Sequence, residues 1–271
     1  MDIQLMIYVM MYISLGALVG FLSGLLGVGG GGILVPLLVS IFTYQGMDNT
    51  HIMQMALGTS LACSLPTTAT SAYSHNKKGA VLWHIVKLVS PSIVVGSIIG
   101  VMISTNIEGK YLALFFAIFM MIVAIKMFSN WQPPSRQTPN LGLSSVVGGL
   151  SIGLVSSLIS VGGAFFSILL LTYNNIDLKK AIGTSSAIGF VAVILATLGY
   201  LFSTPESSGI QPYSLGYIYL PALCLVTLSS VLMVPIGTNI SHRLPSKKLK
   251  QILGVVCVLL SLKLSYSFFL S

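Results

Sequence analysis

Along the chain, apolar stretches of about 20 residues recur from end to end, each long enough to cross a hydrocarbon core of about 30 Å as a helix. Polar or Pro/Gly-rich breaks divide it into ten pieces: 5–27, 32–45, 51–74, 82–105 and 110–129, then 141–161, 163–174, 179–203, 213–241 and 247–270. The second and seventh are short, and each reads as a tilted or partial crossing that completes a broken helix pair with its predecessor. A β-barrel would show short alternating segments, and none is evident. The pattern predicts an all-α polytopic membrane protein with about 8–10 transmembrane segments.

Composition agrees. Hydrophobic residues make up 55% of the chain and charged residues 7%, against roughly a quarter charged in a soluble domain. The start Met1-Asp2-Ile3-Gln4 has no basic n-region, so no cleaved signal peptide is expected. Cys63, Cys224 and Cys257 lie in apolar segments without metal-ligand spacing and read as packing residues. No metal site and no cofactor are expected.

The stretch 130–140, with its prolines and single Arg136, reads as an exposed cytoplasmic linker between a first membrane repeat, 1–129, and a second, 141–271. Lys77, Lys78, Arg136, Lys179, Lys180, Arg243, Lys247, Lys248 and Lys250 assign their loops to the cytoplasmic side, which leaves both termini outside. The loop of Lys77 and Lys78 is the counterpart of the loop of Glu206, on the other face. Equivalent loops on opposite faces indicate two inverted-topology repeats with broken or short helices at the Gly-rich turns. The net charge of +8 belongs to these loops and calls for no nucleic-acid partner.

Two motifs repeat. The first is Ser23-Gly24-Leu25-Leu26-Gly27-Val28-Gly29-Gly30-Gly31-Gly32, echoed by Ser156-Ser157-Leu158-Ile159-Ser160-Val161-Gly162-Gly163. Four consecutive glycines between apolar stretches mark a helix break, since each costs about 1 kcal/mol relative to alanine in a helix. Gly16, Gly20 and Gly24, matched by Gly149 and Gly153, put small residues on one helix face for close packing. The second motif is Ala56–Ala62, echoed by Ala181–Ala187, which brings Thr59 and Ser60 into correspondence with Thr184 and Ser185. Small and hydroxyl residues there can simply pack. The sharper expectation is that the two elements meet near the pseudo-two-fold axis and line a substrate site.

The chain's five carboxylates, Asp2, Asp48, Glu108, Asp177 and Glu206, all lie at the terminus or in loops. A cation carrier would usually keep one in the membrane. Broken helices offer free N–H groups and a positive dipole end, which favour a small anionic substrate. The expected substrate-binding set is Gly29, Gly30, Gly31, Thr59, Ser60, Gly162, Gly163, Thr184 and Ser185. His75, beside Lys77 and Lys78, is a candidate proton relay, with interfacial placement as the alternative.

The residues Ser23–Gly31, Val35-Pro36, Ala56–Ala62, Pro66–Ala69, Ser71–Gly79 and Pro235-Ile236-Gly237 with His242-Arg243-Leu244-Pro245 resemble the sulfite exporter TauE/SafE family, over nearly the whole chain. That resemblance implies a multi-pass permease of the cell's inner (plasma) membrane that moves sulfite or organosulfonates, usually outward. The chain departs from the family pattern where Ser160, Ala164 and Phe165 replace glycines and Leu169 replaces the counterpart of Pro36, so a less open second break is expected.

The leading expectation is a secondary-active exporter working by alternating access, with proton coupling as a plausible driver, and not an enzyme. No phosphate-loop motif supports a primary pump. A membrane-embedded enzyme and a non-transporting assembly component are the alternatives.

Overall fold

The computed structural model of the chain describes residues 3–27, 29–47, 51–128, 143–160, 164–203 and 212–270. The first repeat forms α1 (Ile3–Leu26), α2 (Gly31–Tyr44), α3 (Ile52–Asn76), α4 (Trp83–Asn106) and α5 (Gly109–Phe128). The second forms α6 (Leu143–Ile159), α7 (Ala164–Tyr173), α8 (Leu178–Phe202), α9 (Leu220–Arg243) and α10 (Ser246–Leu270). The linker 130–140 lies outside the described residues. Five of the described helices, α1, α4, α5, α8 and α9, are long and apolar enough to cross a membrane. With α2 and α7 as short partners, the molecule is an all-α polytopic membrane protein built from two five-helix units.

The ninth apolar piece starts its helix later than its hydropathy suggests. Residues 214–219 form two short antiparallel strands, β1 (Ser214–Leu215) and β2 (Ile218–Tyr219), with Ser214 opposite Tyr219. Gly216 makes the turn with φ +55°, and the Tyr200 and Leu201 carbonyls occupy the space a side chain would need. Pro221 then enters the first turn of α9, where a missing N–H costs nothing.

Each unit exchanges its strongest contacts with the other. α1 packs along α9, and α6 along α4. Gly16 meets Val226 and Ser229, Gly20 meets Ser230, and Gly24 meets Val234 and Thr238, so α1 and α9 run parallel. Gly149 against Val89 and Ser92, and Gly153 against Ile93 and Ser97, repeat this between α6 and α4. Gly100 and Gly237 complete it from the facing helices, against Leu154 and Phe21. With no hydrophobic driving force between helices in lipid, such backbone approach supplies dispersion contact that larger residues would block.

The central helices α3 and α8 also pack together, and α5 packs on α10. Ser71 of α3 meets Ser186 of α8, whereas the opposite end of α3, at Gly58, meets Tyr217, whose ring contacts Tyr200 late in α8. Equivalent helices therefore run antiparallel, and the repeat is inverted.

The close approach at Gly20 gives a stability prediction. Gly20→Ala places a methyl on the Ser230 carbonyl and should cost about 1–3 kcal/mol. The lipid-facing Leu18→Ala, at a residue 52% exposed, should change little. Thermal melts of the detergent-solubilised variants, followed by size-exclusion monodispersity, check the contrast.

Candidate functional site: two helix breaks at the centre of the bundle

The glycine run divides into two functions. Gly27, Gly29 and Gly30 have φ of +68°, +71° and +80°, the left-handed region that costs other residues energy, and they turn the chain after α1. Gly31 and Gly32 open α2, whose N-cap, Gly30, has no side chain to bond the first N–H groups. At Gly31 the space of a Cβ is taken by the Ser160 carbonyl and Ser64 Oγ. The first break thus rests directly on the second.

Ser160, the counterpart of Gly27, follows α6 and adopts φ +56° despite its side chain. The second break therefore keeps the left-handed turn that the loss of glycine put in doubt. Gly162 and Gly163 lie outside the described residues.

The four hydroxyl residues of the repeated motif, all fully buried, act in two equivalent pairs. Thr59 Oγ1 accepts the Tyr219 N–H at 2.9 Å, just before α9, and Thr184 Oγ1 accepts the Leu82 N–H at 3.0 Å, just before α4. Ser60 Oγ hydrogen-bonds Ser160 Oγ in the second break, and Ser185 Oγ, which donates to the Ile182 carbonyl of its own helix at 2.8 Å, also reaches the Gly27 carbonyl in the first at 3.3 Å. Glycines one residue earlier allow this: Gly58 lies on the Tyr217 backbone and Gly183 on that of Ala80.

These residues are not gathered into one shell. Ser71 faces Ser186 across antiparallel α3 and α8, which leaves Ser60 about 16 Å of helix rise from that level, where Ser185 lies. Thr59 and Thr184 stand farther apart still, each pinning the start of a long helix.

Further out along α3 and α8, another equivalent pair closes the arrangement. His75 Nε2 lies 3.1 Å from the Gly24 carbonyl and its Nδ1 3.1 Å from His242 Nε2. Tyr200, at the matching position of α8, donates its hydroxyl to the Ser157 carbonyl at 3.4 Å. Gly24 and Ser157 are themselves counterparts in the last turns of α1 and α6, where carbonyls lack the usual helical partners. His75 is fully buried, so its setting is the bundle interior and not an exposed interface.

Several buried hydroxyls near the breaks find no hydrogen-bond partner among the described residues, including Ser64 Oγ and the equivalent pair Ser23 and Ser156. The sequence reading assigned no role to Ser64, His242 or Tyr200. Ser64 lies one helical turn from Ser60, and Tyr200 falls at the place of His75 once the repeat is carried to the helix end. Among the described residues no cluster of three His, Cys, Asp or Glu side chains could hold a metal.

Removing either threonine hydroxyl leaves a buried backbone N–H without its acceptor. Thr59→Val and Thr184→Val should each lower stability by about 1–3 kcal/mol. Equal losses of melting temperature for the two variants check the symmetry of the two pins.

Residues 12–264 match the sulfite exporter TauE/SafE family. A probable membrane transporter protein of Haemophilus influenzae is 34% identical over 245 residues, covering 90% of this chain and 93% of that one. Another, of Methanocaldococcus jannaschii, is 24% identical over 262 residues, covering 94% and 96%. No solved structure matches the chain significantly. These relatives carry the names of transporters and not of enzymes, and their coverage spans both repeats. By family match and full-length similarity alike, this chain belongs to the sulfite exporter TauE/SafE family of membrane transporters.

Proposed function

We propose that the protein is a secondary-active permease that exports a small anion, sulfite or an organosulfonate, by alternating access across the plasma membrane, driven by a proton gradient. The observation that carries the reading is the start of α2. There a helix N-terminus without a capping side chain faces the break that holds Ser160 and the fully buried Ser64 Oγ, which has no hydrogen-bond partner among the described residues. The positive end of a helix dipole, its first N–H groups and a hydroxyl that can donate suit an oxyanion.

In this reading Gly29, Gly30 and Gly31 provide backbone approach, and Ser60, Ser64 and Ser160 provide hydroxyls, with Gly162 and Gly163 as their counterparts on the second break. Thr59, Thr184 and Ser185 hold the surrounding helices and the first break in place. The absence of any carboxylate from the apolar segments supports an anion over a metal ion or ammonium. The family's description, sulfite exporter, supports the substrate class. Inverted packing of α1 on α9 and α6 on α4 supports alternating access, because rocking one set against the other exchanges equivalent contacts.

In this reading the end of the bundle that carries Lys77, Lys78, Lys179, Lys180 and Arg243 faces the cytoplasm, and the positive-inside rule puts both termini outside. The test uses proteoliposomes loaded with labelled sulfite, thiosulfate or sulfoacetate, with release and counterflow measured with and without a pH gradient. Flux above protein-free vesicles is expected for at least one anion, with Ser64→Ala weakening its apparent affinity about tenfold. No flux for any anion, from protein that reconstitutes as a monodisperse species, would refute the reading.

A further inference from the structure

α3 carries a continuous polar stripe that its counterpart lacks. Ser60, Ser64, Thr67, Thr68, Ser71 and His75 recur at helical spacing along one face, and all are buried. The matching positions of α8 are Ser185, Gly189, Ala192, Val193, Ala196 and Tyr200. From the breaks to the basic end, buried hydroxyls therefore continue turn after turn. Toward the other end, the matching positions of α8 between Ser185 and Tyr200 carry no hydroxyl.

Cross-helix bonds tie the stripe to its neighbours. Thr67 Oγ1 and Ser230 Oγ of α9 are 2.9 Å apart, Ser71 Oγ and Ser186 Oγ of α8 are 3.0 Å apart, and Ser186 also reaches toward the Gly27 carbonyl. Hydroxyls both donate and accept, which is the property that a proton path requires.

At its end stands the histidine pair. Nε2 of His75 faces a carbonyl and must carry a hydrogen, so in the neutral ring Nδ1 accepts from His242 Nε2–H. A proton added to His75 at Nδ1 would meet that N–H, and His242 must then change tautomer or turn away. The pair thus holds one arrangement when neutral and another when protonated. His242 is partly exposed and gives the buried ring a way out.

The groups around the pair are cationic or neutral. From α8, Lys179 Nζ donates to the His242 carbonyl at 2.9 Å. Lys78 approaches His242 from the α3–α4 loop, and Arg243 follows His242 in α9. From α1 the Gly24 carbonyl faces His75. Asp177 is engaged in capping α8 through the Lys179 N–H, and Glu108, the other described carboxylate, pairs with Lys110.

The equivalent latch at the other end is a phenol, which keeps its proton throughout the physiological range. We propose that His75 and His242 together form the proton-binding site of this transporter, joined to the helix breaks by the hydroxyl stripe of α3, while the Tyr200 end binds no proton. Protonation strengthens the Nε2–H bond to the Gly24 carbonyl and breaks the bond between the two rings, so the group that moves is His242, in the last turn of α9. The inference rests on the anion-permease reading and locates its coupling site.

Two fluxes separate the two claims: counterflow of a labelled anion that the release assay shows to move, at equal pH, and its accumulation driven by a pH gradient. In His75→Gln, whose amide can still donate to the Gly24 carbonyl, the ratio of driven to counterflow flux should fall about tenfold or more. His242→Gln should do the same, and serves if the first variant fails to fold. Tyr200→Phe, which removes the opposite latch, should keep the wild-type ratio. An unchanged ratio in both histidine variants, or an equal fall in Tyr200→Phe, overturns the proton site. Absence of counterflow from the wild-type protein instead withdraws the permease reading itself.

Discussion

A helix that stops inside a membrane leaves backbone N–H and C=O groups with no water to satisfy them, and this molecule stops two helices there. Everything around the centre answers that constraint. The carbonyls that end α1 are met by Ser185 and His75, the corresponding carbonyl of α6 is met by Tyr200, and Ser160 is held by Ser60. At the start of α2, by contrast, the cap is a glycine and the adjacent hydroxyl, Ser64, has no partner among the described residues.

Close packing makes the breaks tolerable. Glycines at 16, 20 and 24 let α9 lie on the α1 backbone, and those at 149 and 153 let α4 lie on α6, so each broken hairpin is clamped by a long helix of the other repeat. Thr59 and Thr184 then tie the beginnings of α9 and α4 to the central pair α3 and α8. The clamp and the pin obey the same pseudo-two-fold relation. The polar stripe of α3 does not, and neither does the chemistry of the latches, histidine at one end and phenol at the other. The scaffolding is symmetric and the chemistry set on it is not.

Much of this was legible in the chain. Apolar lengths gave the ten elements nearly to their boundaries, because a helix crossing lipid has little freedom in length or composition. Inversion followed from the lysines of the loops, and the small-residue spacing on α1 found its partner surface on α9. The hairpin at 214–219 was missed because Ile218, Tyr219 and Leu220 continue the apolar pattern of the helix that follows. Grouping Thr59 with Thr184 was also natural from sequence, since repeated motifs suggest a shared site. Antiparallel packing of α3 and α8 puts them at opposite ends instead, a relation that depends on tertiary register and not on spacing. Ser160 shows the converse: its backbone kept the turn because its neighbours, Ser60 and Gly31, hold it where glycine would otherwise be required.

The central claim is that an anion sits at the start of α2 between the two breaks. Equilibrium binding of radiolabelled sulfite to the purified protein, with thiosulfate and sulfoacetate as competitors, tests it without requiring transport. The account predicts saturable binding, one site per chain, that is lost in Ser64→Leu, whose side chain fills the space beside Gly31, and retained in Cys224→Ala at the periphery. Saturable binding that survives Ser64→Leu undiminished would contradict it.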